Sequence, residues 1–127
     1  MEMKELTRAE KQIMQVLWEI EKGFVKDIVE QLPDPKPAYN TVSTIVRILE
    51  TKGFVAHKAY GKTHEYFPQV SKEEYMRFMM NDMVDSYFGG SFSKLVSHFV
   101  KDKNIGLHEL DEILKTIEKG NGKKKKQ

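Results

Sequence analysis

The chain has 127 residues, of which 31% are charged and 39% are hydrophobic, a balance typical of a globular protein with one domain or two small ones. It contains no cysteine, which excludes disulfides, thiolate metal sites and a thiol nucleophile. No apolar run is long enough for a membrane span, and the first residues do not resemble a signal peptide, so we expect a cytoplasmic protein. The net charge of +2 does not by itself indicate a polyanionic partner.

The sequence pattern of the first 35 or so residues predicts two helices. Thr7 followed by Glu10 is a capping-box signature for the start of the first helix, and Gly23 is expected to end it in a left-handed turn. The first core stripe has helical spacing and contains Ile13, Met14, Leu17 and Trp18. The stretch "FVKDIVEQL" predicts a short second helix that the prolines of "PDPKP" bring to an end.

A third helix is predicted to begin near Pro37 or Ala38 and to end at Gly53. At about 100° per residue, one side of this helix is apolar and consists of Ala38, Val42, Ile45, Val46 and Leu49. Two strand-like runs follow, "FVAHKA" and "HEYFP", joined by "YGKT" with a glycine in the turn. Three helices and a hairpin in this order predict a winged helix-turn-helix, so the fold class is mainly α with a small β wing.

The polar side of the third helix carries hydroxyl and amide groups where a merely structural helix would expose Glu/Lys pairs. Such groups can contact base edges in the major groove, and Arg47 can bind guanine or phosphate with its planar fork. The residues predicted to contact DNA are Asn40, Thr41, Ser43, Thr44 and Arg47, with Lys58 and Lys62 of the hairpin on phosphates. Residues 36–64 have a net charge of +4, which fits this prediction. A solvated basic face or a protein-binding surface remains an alternative.

Enzymatic or metal chemistry has little support in the sequence. The chain lacks a nucleophile elbow, a zinc-protease motif and a phosphate-binding glycine loop. His64 and Glu65 are neighbours on a predicted strand and should point to opposite faces, which argues against a shared metal ion. We therefore expect neither a cofactor nor a catalytic residue.

Residues 71–119 predict a second unit made of three helices. Ser71 and Glu74 form a capping box, Gly89 and Gly90 break the chain, and Ser91 can cap the next helix. About fifty residues bury too little surface to be stable alone, so we expect these helices to pair with a second copy, the alternative being a monomer in which they pack on residues 1–70. The predicted dimerisation residues are Tyr75, Met79, Met83, Phe88, Phe92, Leu95, Val96, Phe99, Leu110, Ile113, Leu114 and Ile117. The lysine-rich residues 120–127 are expected to be disordered.

Three stretches resemble the penicillinase-repressor family of winged-helix regulators (BlaI/MecI type). "LTRAEKQIMQVLWE" resembles the first helix of that family, and "NTVSTIVRILETKGFVAHK" resembles its recognition helix and first wing strand. "GGSFSKLVSHFV" resembles a segment of its dimerisation domain. The resemblance covers nearly the whole chain up to the lysine-rich end, in the same order.

The resemblance implies a homodimeric transcriptional repressor on a pseudo-palindromic operator of the TACA/TGTA kind, in a β-lactamase or antibiotic-resistance type of operon. It also implies control by a membrane sensor-peptidase that cuts before a phenylalanine in the fifth helix, which corresponds here to the bond between His98 and Phe99. The best-known members carry asparagine where His98 stands, and a ligand-controlled regulator that is not cleaved remains the alternative. The absence of cysteine excludes the thiolate copper sensing found in some relatives.

Overall fold

The computed structural model describes residues 3–103, 106, 108–109, 111–113 and 115–116. The chain divides into two compact units, with the division between Met79 and Met80. The helices and strands follow one another as α1 (Arg8–Ile20), α2 (Val25–Gln31), α3 (Tyr39–Thr51), β1 (Val55–Tyr60), β2 (Thr63–Pro68), α4 (Lys72–Tyr87) and α5 (Phe92–Lys103). Within the described ranges, no helix combines the length and the hydropathy that a bilayer crossing requires.

Helix α1 begins with the predicted capping box. The N–H of Thr7 donates to Glu10 Oε1 at 2.8 Å, and the N–H of Glu10 donates to Thr7 Oγ1 at 3.2 Å. The inner side of the helix is buried, with Ile13, Met14 and Leu17 at most 2% exposed. The predicted end of the helix is wrong in one respect: the left-handed residue is Glu21, with φ of 73°, and not Gly23.

Gly23 instead forms backbone hydrogen bonds with the wing. Its N–H donates to the carbonyl of Tyr66 at 2.9 Å, and the N–H of Tyr66 donates back to its carbonyl at 2.8 Å. This isolated antiparallel bridge adds a third, one-residue strand to the base of the hairpin. A Cβ at position 23 would stand 2.8 Å from the Cδ1 of Ile20 and 3.3 Å from the Cβ of Asp27, so a larger residue would require these side chains to shift.

Helix α3 packs on the core through the predicted stripe, with one correction. Val42, Val46 and Leu49 are at most 1% exposed. Ala38, however, is the N-cap residue and is exposed, because the helix begins one residue later than the stripe assumed. Gly53 follows the helix with φ of 85°, which confirms the predicted glycine ending.

The hairpin is present with a glycine in its turn, as predicted, but the turn is shorter than the predicted connection of residues 60–63 because the strands extend further. The strands pair antiparallel from Val55 opposite Pro68 to Tyr60 opposite Thr63, which leaves Gly61 and Lys62 as the turn. Gly61 has φ of 63°, a conformation that glycine adopts without strain.

The first turns of α4 complete the core of the N-terminal unit. Ser71 and Glu74 form the predicted capping box, with distances of 3.0 and 3.2 Å. Tyr75 is 6% exposed, accepts a hydrogen bond from the N–H of Leu6 at 2.9 Å, and lies with its ring centroid 5.8 Å from that of Phe54. This core therefore extends past the expected division at residue 70. Tyr75 is therefore removed from the predicted dimerisation residues, because its side chain is already buried within one chain.

In the second unit, Val84 of α4 and Leu95 of α5 are 8% and 4% exposed. Gly89 and Gly90 connect the helices with φ of 58° and 82°, and Ser91 Oγ accepts from the N–H of Lys94 at 3.2 Å, so the predicted break and cap are confirmed. Several large apolar side chains are at least 40% exposed: Met80, Met83, Tyr87, Phe92, Phe99 and Ile113. Leu110, Leu114, Ile117 and the tail 120–127 lie outside the described residues.

Candidate nucleic-acid interface

The outer face of α3 presents the predicted polar groups. Asn40, Thr41, Thr44 and Arg47 are exposed, and Ser43 is half-buried. The Nη2 of Arg47 donates to Ser43 Oγ at 3.2 Å, which holds the guanidinium along the helix surface. A guanidinium in this position keeps further N–H groups directed outward, where a base or a phosphate could accept them.

A groove of about 510 Å³ separates this face from the wing. Arg47 lines it from α3, and Lys62 lines it from the hairpin turn. Lys58 is exposed on β1 and holds its Nζ 5.3 Å from the ring centroid of Tyr60. The structure thus brings Arg47 and Lys62 to one groove, while Lys58 is absent from its lining.

Two further basic residues, Lys26 and Lys36, were given no role from the sequence. Lys26 belongs to the groove lining, and Lys36 does not. Lys26 of α2 lines the groove, and nothing in its local sequence indicated this, because the contact arises from how α2 packs beside α3. Lys36 instead donates from Nζ to the carbonyls of Glu30 and Leu32 at 2.9 and 2.8 Å. Lys36 thus caps the C-terminus of α2 and contributes less to a phosphate surface than its charge suggested.

Lys52 is likewise used inside the fold. Its Nζ donates to Glu10 Oε2 at 2.8 Å and to Oε1 at 3.1 Å. Burial raises the pKa of Glu10, but the hydrogen bonds from Lys52 and from the N–H of Thr7 outweigh it and leave this pKa below the ordinary carboxyl value. Because Lys52 is the C-cap residue of α3, this pair fixes the end of α3 against the start of α1.

A cluster of aromatic rings adjoins the groove, and two of its members, His64 and Tyr66, line it. The imidazoles of His57 and His64 stack with centroids 4.0 Å apart and planes 6° apart, and His57 Nδ1 is 2.5 Å from Glu50 Oε2. Burial, followed by the nearby Glu50 carboxylate, raises the pKa of the Tyr66 phenol, so this ring stays neutral. Across the described residues, no three His, Cys, Asp or Glu side chains are grouped to hold a metal ion. His57 and His64 thus support the wing beside α3.

Three helices followed by an antiparallel hairpin, with an exposed polar face on the third helix and basic groups across a groove, define a winged helix-turn-helix of the nucleic-acid-binding class. The sequence model of the penicillinase repressor family matches residues 6–119, so the chain belongs to that family. It is therefore a DNA-binding repressor by family, and repression is a non-enzymatic role.

Individual relatives are distant but match over almost their full length. The methicillin resistance regulatory protein MecI of Staphylococcus aureus (strain N315) is 23% identical over 116 residues, which cover 91% of this chain and 94% of MecI. The penicillinase repressor of Bacillus licheniformis is 20% identical over 122 residues and 95% of each chain. The solution structure of the DNA-binding domain of the repressor BlaI superposes with a TM-score of 0.51 at 21% identity, over 58% of this chain and 92% of that domain. This likeness shows the winged-helix fold.

Proposed function

We propose that the protein is a homodimeric transcriptional repressor that binds a pseudo-palindromic operator through α3 and the wing. The observation that carries this proposal is the groove between them, because Arg47 of α3 and Lys62 of the wing both line it. A recognition helix in the major groove would place Asn40, Ser43 and Thr44 near base edges. The lysine at the wing turn would then lie near the phosphate backbone.

Dimerisation is supported by the apolar surface of the second unit. Phe92 and Phe99 of α5 are 42% and 45% exposed, and Met83 of α4 is 40% exposed. A unit of this size gains little from its own core, whereas pairing with a second copy would remove these side chains from water. The proposed dimer surface contains Met83, Phe88, Phe92, Val96, Phe99 and Ile113, with Leu110, Leu114 and Ile117 continuing the sequence pattern. Of the predicted set, Leu95 is 4% exposed and Met79 packs against the N-terminal core, so both are omitted for the same reason as Tyr75.

The proposed target is an operon of the antibiotic-resistance type, as the names of MecI and of the penicillinase repressor suggest by analogy. The site of action is the cytoplasm, where operator DNA is accessible. Release is proposed to follow cleavage between His98 and Phe99 by a sensor-peptidase. His98 is exposed, with its Nε2 3.0 Å from Asp102 Oδ2 one turn later on α5. A protease needs extended backbone at the bond it cuts, so α5 must open locally before cleavage.

Operator binding is tested by fluorescence anisotropy with duplex DNA from upstream of the gene, over a range of salt concentrations. Arg47→Ala should weaken specific binding by about 1–3 kcal/mol if the side chain contacts a base. Arg77→Ala is the matched control, because Arg77 is exposed on α4 and lies outside the groove lining. Unchanged affinity in both Arg47→Ala and Thr44→Ala would refute the assignment of this face, and binding insensitive to salt would refute DNA as the partner.

A further inference from the structure

We propose that Ile48 reads thymine methyl groups in the operator, together with Thr44 and Thr51. This inference rests on the proposed function, because it assumes that α3 enters the major groove. Ile48 is 43% exposed although it is a large aliphatic residue on a helix that buries Val42, Val46 and Leu49 in the core. In the sequence pattern Ile48 belongs to neither face, since it falls between the apolar stripe and the polar groups.

The position of Ile48 makes it part of a row along α3. It lies four residues after Thr44 and three residues before Thr51, so the three side chains are neighbours on one side of the helix. A shallow hollow of about 350 Å³ lies beside them. The parallel row, with Ser43 and Arg47, is polar and internally hydrogen-bonded. The face therefore has one polar row and one row that is apolar at its centre.

The two threonines strengthen the apolar character of this row. Thr44 Oγ1 donates to the carbonyl of Asn40 at 2.9 Å, and Thr51 Oγ1 donates to the carbonyl of Arg47 at 3.1 Å. Their hydroxyl hydrogens are thus used within the helix. Each threonine therefore offers a binding partner its methyl group and the lone pairs of its hydroxyl oxygen, and no free O–H donor.

Thymine fits this row better than any other base. Its C5-methyl is the apolar feature of the major groove, and it stands beside the O4 acceptor. Arg47, which lines the same hollow, is next to Ile48 and can donate to such an acceptor or to a phosphate. A protein partner would also cover an exposed isoleucine, but the cationic group at its side and the lysine of the wing favour a polyanion.

The test replaces thymine by deoxyuridine, which removes the methyl group and keeps every hydrogen-bonding group. Duplexes are selected from a random pool with the full-length protein, and each thymine of the selected half-site is then exchanged in turn. For the wild type, at least one exchange should weaken binding about fourfold, the value of one buried methyl group. Ile48→Ala should bind the thymine duplex more weakly and should no longer distinguish it from the deoxyuridine duplex, and Ile48→Val should lie between.

Arg47→Ala is the comparison, since it should weaken binding to both duplexes and keep their ratio. The inference is overturned if no exchange affects the wild type, or if Ile48→Ala keeps the full ratio, which is the result expected of an isoleucine that faces a protein. A pool that yields no enriched duplex would instead refute the proposed function, and the inference would fall with it. Unfolding followed by the fluorescence of Trp18 shows whether each variant is folded.

Discussion

The ion pair between Glu10 and Lys52 gives a sharp test of how α3 is held in place. Glu10 is 4% exposed, whereas the side chain of Lys52 is 31% exposed. Glu10→Gln keeps an acceptor for the N–H of Thr7 but removes the charge that Lys52 binds. Water can solvate the ammonium that loses its partner, so the full loss of about 3–5 kcal/mol for a broken buried pair should not appear. We expect the free energy of unfolding to fall by about 1.5–3 kcal/mol, the range of hydrogen bonds to charged groups.

The loss should depend on pH with a defined sign. The pKa of Glu10 in the folded chain is depressed, so its carboxylate stabilises the fold above the ordinary value of 4.5. This contribution falls as the pH drops below 4.5, and it is gone once the pH is below the depressed folded pKa. The difference between the wild type and Glu10→Gln should therefore be greatest at about pH 7 and should be smaller at about pH 3.

The assay is urea unfolding at a fixed protein concentration, followed by the fluorescence of Trp18, the single tryptophan of the chain. Trp18 Nε1 donates to the carbonyl of Val70 at 2.9 Å, so its signal reports on the N-terminal unit. Glu5→Gln is the control, because Glu5 is exposed and its replacement should change stability by less than about 0.5 kcal/mol. An equal loss at both pH values would refute the role given to the carboxylate.

Three further outcomes are expected. Lys62→Ala should weaken operator and random DNA alike and lower the slope of log affinity against log salt by about one, measured by anisotropy; a loss confined to the operator would mean that the wing reads bases. A fragment of residues 1–79 should sediment as a monomer and bind a full operator poorly. A dimeric fragment would contradict the proposal that the second unit holds the dimer together. Mass spectrometry of induced cells should find fragments ending at His98, and derepression with every molecule intact would rule out cleavage.

Elements set by local signals could be predicted from the sequence. The capping boxes at Thr7 and Ser71 and the glycines at positions 53, 61, 89 and 90 each act within a few residues, and each is present in the structure. The polar face of α3 could also be predicted from the sequence, because its periodicity and its lack of acidic residues are properties of one short segment.

Contacts between distant segments could not be predicted in this way. The bond from Leu6 to Tyr75 joins residues 69 positions apart, and no pattern around Tyr75 distinguishes a core tyrosine from an interface tyrosine. The pairing of Lys52 with Glu10 and the bridge from Gly23 to Tyr66 have the same origin. Lys26 reaches the groove because of tertiary packing, so its position could not be predicted from the sequence either.

The bridge between Gly23 and Tyr66 limits the movement of the wing, which forms the proposed DNA-binding surface together with α3. It fastens the base of the wing to the turn before α2, while the Glu10–Lys52 pair fastens the end of α3. A surface that is already in shape loses little conformational entropy on binding, so in the proposed dimer each subunit would bind its half-site with a largely constant affinity. Simultaneous engagement of two linked subunits would raise avidity by about 10²–10⁴ without a new contact. Control of operator occupancy would then act on whether the two subunits bind together, and the binding surface itself would need no conformational change.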